Sequence, residues 1–417
     1  MAGITAFAFA SLTNSAERCG TLPNLTELPL HRRSSRACFH FEDNANNKEQ
    51  RGNNVMDRRF ILGAAAVAVP AALAAPALAQ TQHPEIRWRL ASSFPKNLDI
   101  LFGGAEYLAR RVAQMTENRF QIRCFAAGEI VPALQVLDAL QTGTIECGQT
   151  SSLYYIGKDP TLAAFAAIPW GMNMRQMTAW MRYGGGNEIA AELYRDYNVV
   201  GIPFGETGTQ MGGWFRKEIR GVDDLKGVKF RISGIAGQVF AKLGAAPTQI
   251  AASDIYPSLE RGTIDAAEWI GPYDDEKLGF QRVAKYYYAP GFWDASSRGV
   301  FMMNNRAWEG LPDQYKHILE VACGEATLEM IARYDEANPK ALRRLLAGGA
   351  QLKAWPREVL QAAWRATHEL YEDTAAQNPR FRKMWTSYKA FRDEQFQWFR
   401  VAENAYENFA FVAAAQR

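Results

Sequence analysis

Two short segments of this 417-residue chain repeat one pattern, Leu140-Gln-Thr-Gly-Thr-Ile-Glu146 and Leu259-Glu-Arg-Gly-Thr-Ile-Asp265. Each follows a helical stretch, turns at a glycine and enters a run that reads as a strand. The same alternation surrounds the first copy. Glu85–Ser92 sets Ile86, Trp88 and Leu90 against Arg87 and Arg89, as a half-buried strand does. Pro95 breaks it, and Leu98–Gln114 places Leu101, Ala105, Leu108 and Val112 on one helical face. Phe120–Phe125 alternates again. A helix over Pro132–Gln141 and a strand over Thr144–Gln149 follow. Strands alternating with helices restrict the chain to α/β lobes with largely parallel sheets. The repeated unit predicts two of them, the first over about 85–205 with later crossing segments and the second over about 206–300. Open α/β sheets bind ligands at the carboxyl ends of their strands. One copy leads to Gln149-Thr150-Ser151 and the other to Glu268-Trp269-Ile270, so these two ends are expected to face one cleft.

Residues 1–55 are rich in Ser, Arg and Asn, lack periodicity, and read as a non-native or disordered extension. From Met56 the pattern changes. Arg58-Arg59 precede the apolar run Phe60–Ala79, which ends in Ala77-Leu-Ala79. A charged start, an apolar run and a small-residue end make residues 56–79 a signal peptide. The paired arginines suit the twin-arginine route, and the general secretory route stays equally open. Residues 80–417 are then exported. A net charge of +3 argues against a nucleic-acid partner. Cys124, Cys147 and Cys323 are odd in number and unpaired in spacing, so no disulfide framework or zinc site is expected. His83, His317 and His368 are too scattered for a histidine metal site or triad. No nucleophile elbow, P-loop or dinucleotide fingerprint occurs, and Gly184-Gly-Gly186 lacks a strand–helix context.

From Leu311 the chain reads as mostly helical, with Pro312 and Pro356 marking starts. Phe381–Ala414 has no Gly or Pro and carries Trp385, Tyr388, Phe391, Trp398, Phe399, Tyr406 and Phe409. This predicts one long helix that either spans both lobes or packs on a second subunit.

Candidate site residues cluster near the second repeat. Val228, Phe230 and Ile232 alternate with Lys229 and Arg231, and Ser233-Gly234 then opens a helix. An arginine at such a strand end can meet a carboxylate, helped by the helix N-terminus; a surface arginine paired with a neighbour is the alternative. Glu268 and Trp269 end a predicted strand over Thr263–Trp269. A buried acid there needs a positive partner or a metal. Gln210 lies in the glycine-rich segment Thr207–Trp214, read as a strand, where its side-chain oxygen could ligate a hard cation. Asp294 is a further oxygen donor. Oxygen ligands without His or Cys select Na⁺ or Ca²⁺ over zinc. Tyr154 and Tyr155 either face the cleft or fill the core. Asp274, Asp275 and Glu276 read as a solvated turn or helix cap.

The stretches Trp88–Lys96, Phe102–Glu106, Gly157–Pro160, Gln210–Arg216 and Glu268–Phe280, behind the signal, resemble the periplasmic solute receptors of TRAP (tripartite ATP-independent periplasmic) transporters, in particular the 2-oxoacid-binding receptor. The resemblance implies a two-lobed α/β periplasmic binding protein fold with a long C-terminal helix, and a receptor rather than an enzyme. It implies a small 2-oxo monocarboxylate of the pyruvate kind, bound with Na⁺ and delivered to the small and large membrane subunits of a permease. Arg231 would pair with the ligand carboxylate. Gln210, the Trp269 carbonyl and Asp294 would hold the cation, with Glu268 close to both. Tyr154, Tyr155 and Phe94 would line the pocket. Relatives include helix-swapped dimers, which the C-terminal segment fits. Leu153 and Ile156 stand where the family is more aromatic, and Asp294 where it has Glu. These departures leave ligand size and cation open. A 2-hydroxy acid receptor of the lactate kind using Ca²⁺ is the alternative. A periplasmic carboxylate-processing enzyme with Glu268 as base lacks an evident second acid–base group.

Overall fold

Residues 84–416 are described by the computed structural model. The extension over 1–55 and the signal over 56–79 lie outside the described residues. The first strand, β1 (Ile86–Ser92), leads to helix α1 (Leu101–Met115), whose Leu101, Ala105, Leu108 and Val112 are buried, as their spacing predicts. Then come β2 (Phe120–Phe125), α2 (Val136–Gln141), β3 (Cys147–Thr150), α3 (Met174–Tyr183), α4 (Gly186–Asp196) and β4 (Val199–Glu206). After β4 the chain crosses to a second layer. This holds β5 (Trp214–Phe215), β6 (Lys229–Arg231), α5 (Gly234–Lys242), β7 (Ala246–Thr248), α6 (Ala252–Glu260), β8 (Ala266–Ala267), α7 (Pro272–Leu278) and β9 (Tyr286–Ala289). It then returns as β10 (Arg298–Asn304) to complete the first sheet, in the order β2-β1-β3-β10-β4. Helix α8 (Asp313–Ala347) leads to β11 (Gln351–Ala354), which completes the second sheet, in the order β11-β9-β5-β8-β6-β7.

The sheets are mixed rather than largely parallel. β1 pairs in parallel with β2 and β3, but β10 runs antiparallel to β3 and β4. In the second sheet β5 runs antiparallel to β8 and β9, while β6 is parallel to β7 and β8. The strands that break the parallel pattern, β5 and β10, are those that follow a crossing between the sheets. They arrive by an extended segment rather than by the helical return a parallel neighbour needs.

The repeat has a shared physical cause. Gly143 and Gly262 both sit at positive φ, 71° and 72°, just past α2 and α6. In each the next residue's N–H returns to the helix, Thr144 to the Ala139 carbonyl and Thr263 to the Ser258 carbonyl, both at 2.9 Å. Only glycine takes that left-handed cap without strain. The second strand is shorter than predicted. Thr263–Asp265 follow the turn, and only Ala266 and Ala267 join the ladder. The segment Thr207–Gly213 is likewise a crossing loop, not a strand; pairing resumes at Trp214.

Two long helices straddle the layers. On α8, Ala326 and Met330 pack at the first sheet while the Tyr334 hydroxyl donates to Asp274 beyond it, at 2.8 Å. Helix α9 (Arg357–Gln377) buries Val359 and Ala363 in the second layer's core and Tyr371 and Ala375 in the first's. The chain ends in α10 (Pro379–Val401) and α11 (Glu403–Ala415). The single helix predicted over Phe381–Ala414 breaks at Ala402, whose ψ of −91° leaves the helical region. Beyond the break, Glu403 pairs with Arg175, which also lies 5.1 Å over the Phe399 ring. Past that contact the last helix buries none of its residues.

Candidate functional site

The carboxyl ends of β3 and β8, the two repeat strands, open onto one cavity of about 60 Å³ between the sheets. A water-sized probe needs about 10–15 Å³, so this holds a solute of roughly half a dozen heavy atoms. Its wall includes Phe94, Gln149, Ser151, Leu153 and Tyr154 from the first sheet's side. Arg231, Ser233, Glu268 and Trp269 come from the second, and Glu206, Gln210, Asp294 and Arg298 from the crossings. The Ser151 and Ser233 hydroxyls and the Trp269 and Trp293 indole N–H groups are buried there without a protein partner. Buried polar groups are almost always satisfied, so this set suits a polar solute.

Arg231 ends β6 with 2% of its surface exposed. It is not the surface arginine its alternation with Lys229 allowed. Its Nη1 donates to the Glu268 carboxylate at 2.5 Å and to the Glu268 carbonyl at 2.7 Å, and Nε donates to the Ile250 carbonyl at 3.2 Å. The Tyr154 hydroxyl is a further hydrogen-bond partner of the guanidinium, and both residues line the cavity. The guanidinium also lies 5.0 Å over the Trp269 ring. Burial pushes the Glu268 carboxyl up to about 7 against the pull of Arg231. That carboxylate engages Arg231 through Oε1, and it stands beside the other possible cation ligands on the same wall.

Those ligands are Gln210, the Trp269 carbonyl and Asp294. The Gln210 amide faces the Trp269 carbonyl at 2.8 Å and Asp294 Oδ2 at 3.0 Å. Within the protein alone only nitrogen forward satisfies it; oxygen forward sets three acceptors together and needs a cation between them. With nitrogen forward it donates to both oxygens, while its own oxygen accepts from Ser297 Oγ at 3.3 Å and Thr207 Oγ1 at 3.1 Å. With oxygen forward, Nε2 donates to Thr207 Oγ1 and three oxygens converge with no proton between them. Oxygens gathered this way are the donor set of a hard cation, so the residues fit Na⁺ or Ca²⁺. No group of three or more His, Cys, Asp and Glu side chains able to hold a metal occurs among the described residues. Asp294 is pushed well up by burial and by the charges of Glu268 and Glu206.

The aromatic positions divide. Phe94 stands 6.5 Å from Tyr154 and 6.4 Å from Trp269, and all three line the cavity. Tyr155 does not line it. One residue further along a 3-10 turn (Ser152–Tyr155), it points into the first core, where its hydroxyl bonds Thr150 Oγ1 at 2.8 Å and accepts from the Leu137 N–H at 3.2 Å. Leu153 faces the cavity while Ile156 packs against that core. The solvated reading of Asp274 and Asp275 is also corrected. Both are fully buried in the first turn of α7. Asp275 accepts from the Trp214 indole at 3.0 Å and from the Tyr287 hydroxyl at 2.7 Å. Only Glu276 reaches solvent, paired with Arg344. Ser151 lies at the strand end expected to face the cleft, whereas sequence reasoning passed over Glu206, Arg298 and Ser233. Glu206 and Arg298 sit at the ends of strands that flank glycines, which is the signal that could have found them.

The family model for bacterial extracellular solute-binding protein, family 7 (DctP) matches residues 91–378. The chain belongs to the DctP family. It is a solute receptor of a TRAP transporter, not an enzyme, and its homologues are periplasmic. TRAP solute-binding proteins take small carboxylates and work with membrane permease subunits. A monocarboxylate 2-oxoacid-binding periplasmic protein of Nostoc sp. is 48% identical, over 85% of this chain and 99% of its own length. A TRAP transporter solute-binding protein of Bordetella bronchiseptica superposes with TM-score 0.79 at 49% identity, over 80% of this chain and 99% of that one. It is a mixed-occupancy dimer with one apo site and one holding copurified calcium and picolinate. A receptor of Pseudoalteromonas atlantica with bound sodium and pyruvate superposes with TM-score 0.76 at 37% identity, over 78% and 99%.

Proposed function

We propose that this receptor captures a small 2-oxo monocarboxylate, pyruvate or a close homologue, together with a cation, and releases it to the permease. The observation that carries the reading is the convergence of the Gln210 amide, the Trp269 carbonyl and Asp294 within one wall of a cavity that also presents Arg231. A cation among those oxygens would hold the ligand's carboxylate and 2-oxo oxygens, and the guanidinium of Arg231 would take the carboxylate. Charge supports the cation. Burial raises Glu206, Glu268 and Asp294 toward their neutral forms, and an entering carboxylate adds a further buried negative charge, which is costly unless a cation balances it. The cavity's size favours pyruvate over the bulkier picolinate found in the Bordetella relative.

The lobes, about 85–205 with later crossings and about 206–300, would close on the ligand as a population shift limited by its preference for the closed form. Residues 56–79 would direct export by the twin-arginine or general secretory route. Trp398, Tyr406, Phe409 and Phe411, all more than half exposed along α10 and α11, suit a helix-swapped homodimer. Light scattering of the exported chain should give a dimer, and of a chain ending at Val401 a monomer or weakened dimer.

The test is calorimetry with pyruvate, 2-oxobutyrate, lactate and picolinate, each with Na⁺, with Ca²⁺, and after chelation. Pyruvate should bind only with a cation present. No binding of any of these acids under either cation would sink the reading.

A further inference from the structure

Glu206 closes β4 and Arg298 opens β10, and the two are register partners across the sheet. These are the strands on which the chain leaves the first sheet and returns to it. Both side chains line the cavity, at 0% and 6% exposure. The Glu206 carboxylate touches both crossings at once. Oε1 accepts from the N–H of Thr207 at 3.2 Å and of Gly208 at 3.3 Å. Oε2 accepts from Ser296 Oγ at 2.9 Å and lies 3.5 Å from Arg298 Nε. Arg298 is itself tied outward, Nη2 donating to Thr178 Oγ1 at 2.7 Å and its backbone N–H to the Ala166 carbonyl at 3.0 Å.

The backbone continues the connection. Thr207 N–H donates to the Ser297 carbonyl at 3.2 Å, Gln210 N–H to the Asp294 carbonyl at 2.9 Å, and Gly291 N–H to the Gln210 carbonyl at 2.8 Å. Residues 206–210 and 294–298 therefore run side by side as one ribbon, with Gln210 on one edge and Asp294 on the other. The loop edge includes Gly208 at φ +69°, a position with little intrinsic stiffness. A buried carboxylate is kept only where its lone pairs are well used. Here they are used to pull the two edges together.

We propose that Glu206 is a positioning residue for the cation site, setting the distance between Gln210 and Asp294 by gripping Thr207 and Gly208 with one oxygen and Ser296 with the other. It rests on the reading of Gln210, Trp269 and Asp294 as the cation ligands. Glu206 makes no contact with the cation in this scheme. Its effect falls on cation affinity and leaves ligand affinity intact once the cation site is filled.

The test titrates CaCl₂ into the exported full chain in the presence of pyruvate, then pyruvate at saturating CaCl₂, by calorimetry. Glu206→Leu keeps about the same volume but has no polar atom, so it loses the grip on both edges. The Ca²⁺ half-saturation point should rise about tenfold or more, with the pyruvate Kd at saturating Ca²⁺ within about threefold of the parent. Glu206→Leu with Arg298→Leu restores the net charge and removes the buried cation that could unfold the single variant. Positioning predicts that this double variant still binds Ca²⁺ about tenfold more weakly. Recovery of parental Ca²⁺ affinity in the double variant would show that Glu206 acts only through its field, and an unchanged half-saturation point in the single variant would show no role; either overturns the proposal. A parent protein that answers to neither cation is a different failure, that of the cation site itself.

Discussion

Replacing Arg231 with methionine removes a guanidinium that has two duties, and the structure separates them. Nη1 and Nε are spent on Glu268 and Ile250, so most of what Arg231 does for the fold is to balance Glu268, which is 5% exposed. Breaking a buried ion pair by removing one partner costs about 3–5 kcal/mol, because the other charge is stranded. Arg231→Met should be destabilised by that amount in urea melts. Adding Glu268→Gln removes the stranded charge and should restore most of the loss. Binding should not follow. The guanidinium lines the cavity beside the Tyr154 hydroxyl with Nη1 and Nε already engaged, so the ligand stands to lose one charge-assisted contact rather than a full two-pronged one. That is worth about 2–3 kcal/mol, or roughly 30- to 150-fold in Kd. Comparing the double variant with Glu268→Gln alone, by calorimetry with pyruvate at saturating Ca²⁺, isolates Arg231. A loss under about threefold would refute the assignment of Arg231 to the ligand carboxylate. Full stability in Arg231→Met would refute the charge-balance reasoning.

Gln210→Glu cannot turn a nitrogen toward Asp294 and the Trp269 carbonyl. The cation-free protein should melt lower than the parent, and Ca²⁺ should raise its melting temperature by more than it raises the parent's; an equal rise would contradict the trio. Burial raises Asp275 and Asp274 in the folded protein to about 7, above the unfolded value near 3.9. The native state then binds more protons between about pH 4 and 7, so stability falls as pH rises through that window. Asp275→Asn should flatten the fall in urea melts at pH 4.5 and 7.5, and an unchanged slope would exclude Asp275 as its source. Tyr155→Phe loses the hydroxyl's bonds to Thr150 and Leu137. It should cost about 1–2 kcal/mol of stability and leave the pyruvate Kd within about twofold, whereas a tenfold weakening would return Tyr155 to the cavity wall.

Much of the fold was legible because period and punctuation are local. The alternation of Phe120–Phe125 and the helical spacing of Leu101, Ala105, Leu108 and Val112 hold without knowing what lies across from them. The repeat was legible because a left-handed glycine cap leaves the same residues wherever it occurs. Strand direction was not, since β10 reaches its place by a crossing that no nearby residue encodes. Within the cavity, Arg231, Gln210, Glu268, Trp269, Asp294, Tyr154 and Phe94 come together as expected. Tyr155 fails for a geometric reason. Neighbours on a 3-10 turn point a third of a revolution apart, so Tyr154 and Tyr155 could not share one target. Asp274 and Asp275 misled because two adjacent acids look solvated until Tyr334, Tyr287 and Trp214 are seen to meet them. The glycines beside Glu206 and Arg298 mark two strand ends, but their pairing was not legible, since the sheet that pairs them is assembled from distant strands.

The interleaving of the two sheets sets a timetable for the nascent chain. β3 can pair with β1 at once, but its other edge waits until β10 has been made, since Cys147 pairs there with Met303. β9 waits in the same way for β11, with Tyr286 opposite Gln351. The first sheet is still open when the second begins, so no complete sheet lies behind the growing chain until β10 is made. Closing a loop of roughly 150 residues between β3 and β10, and a shorter one between β9 and β11, delays pairing, and such topologies fold slowly. During that interval the edges of β3 and β9 are open to wrong partners. A truncation between β5 and β10 would leave not a smaller receptor but two unfinished sheets.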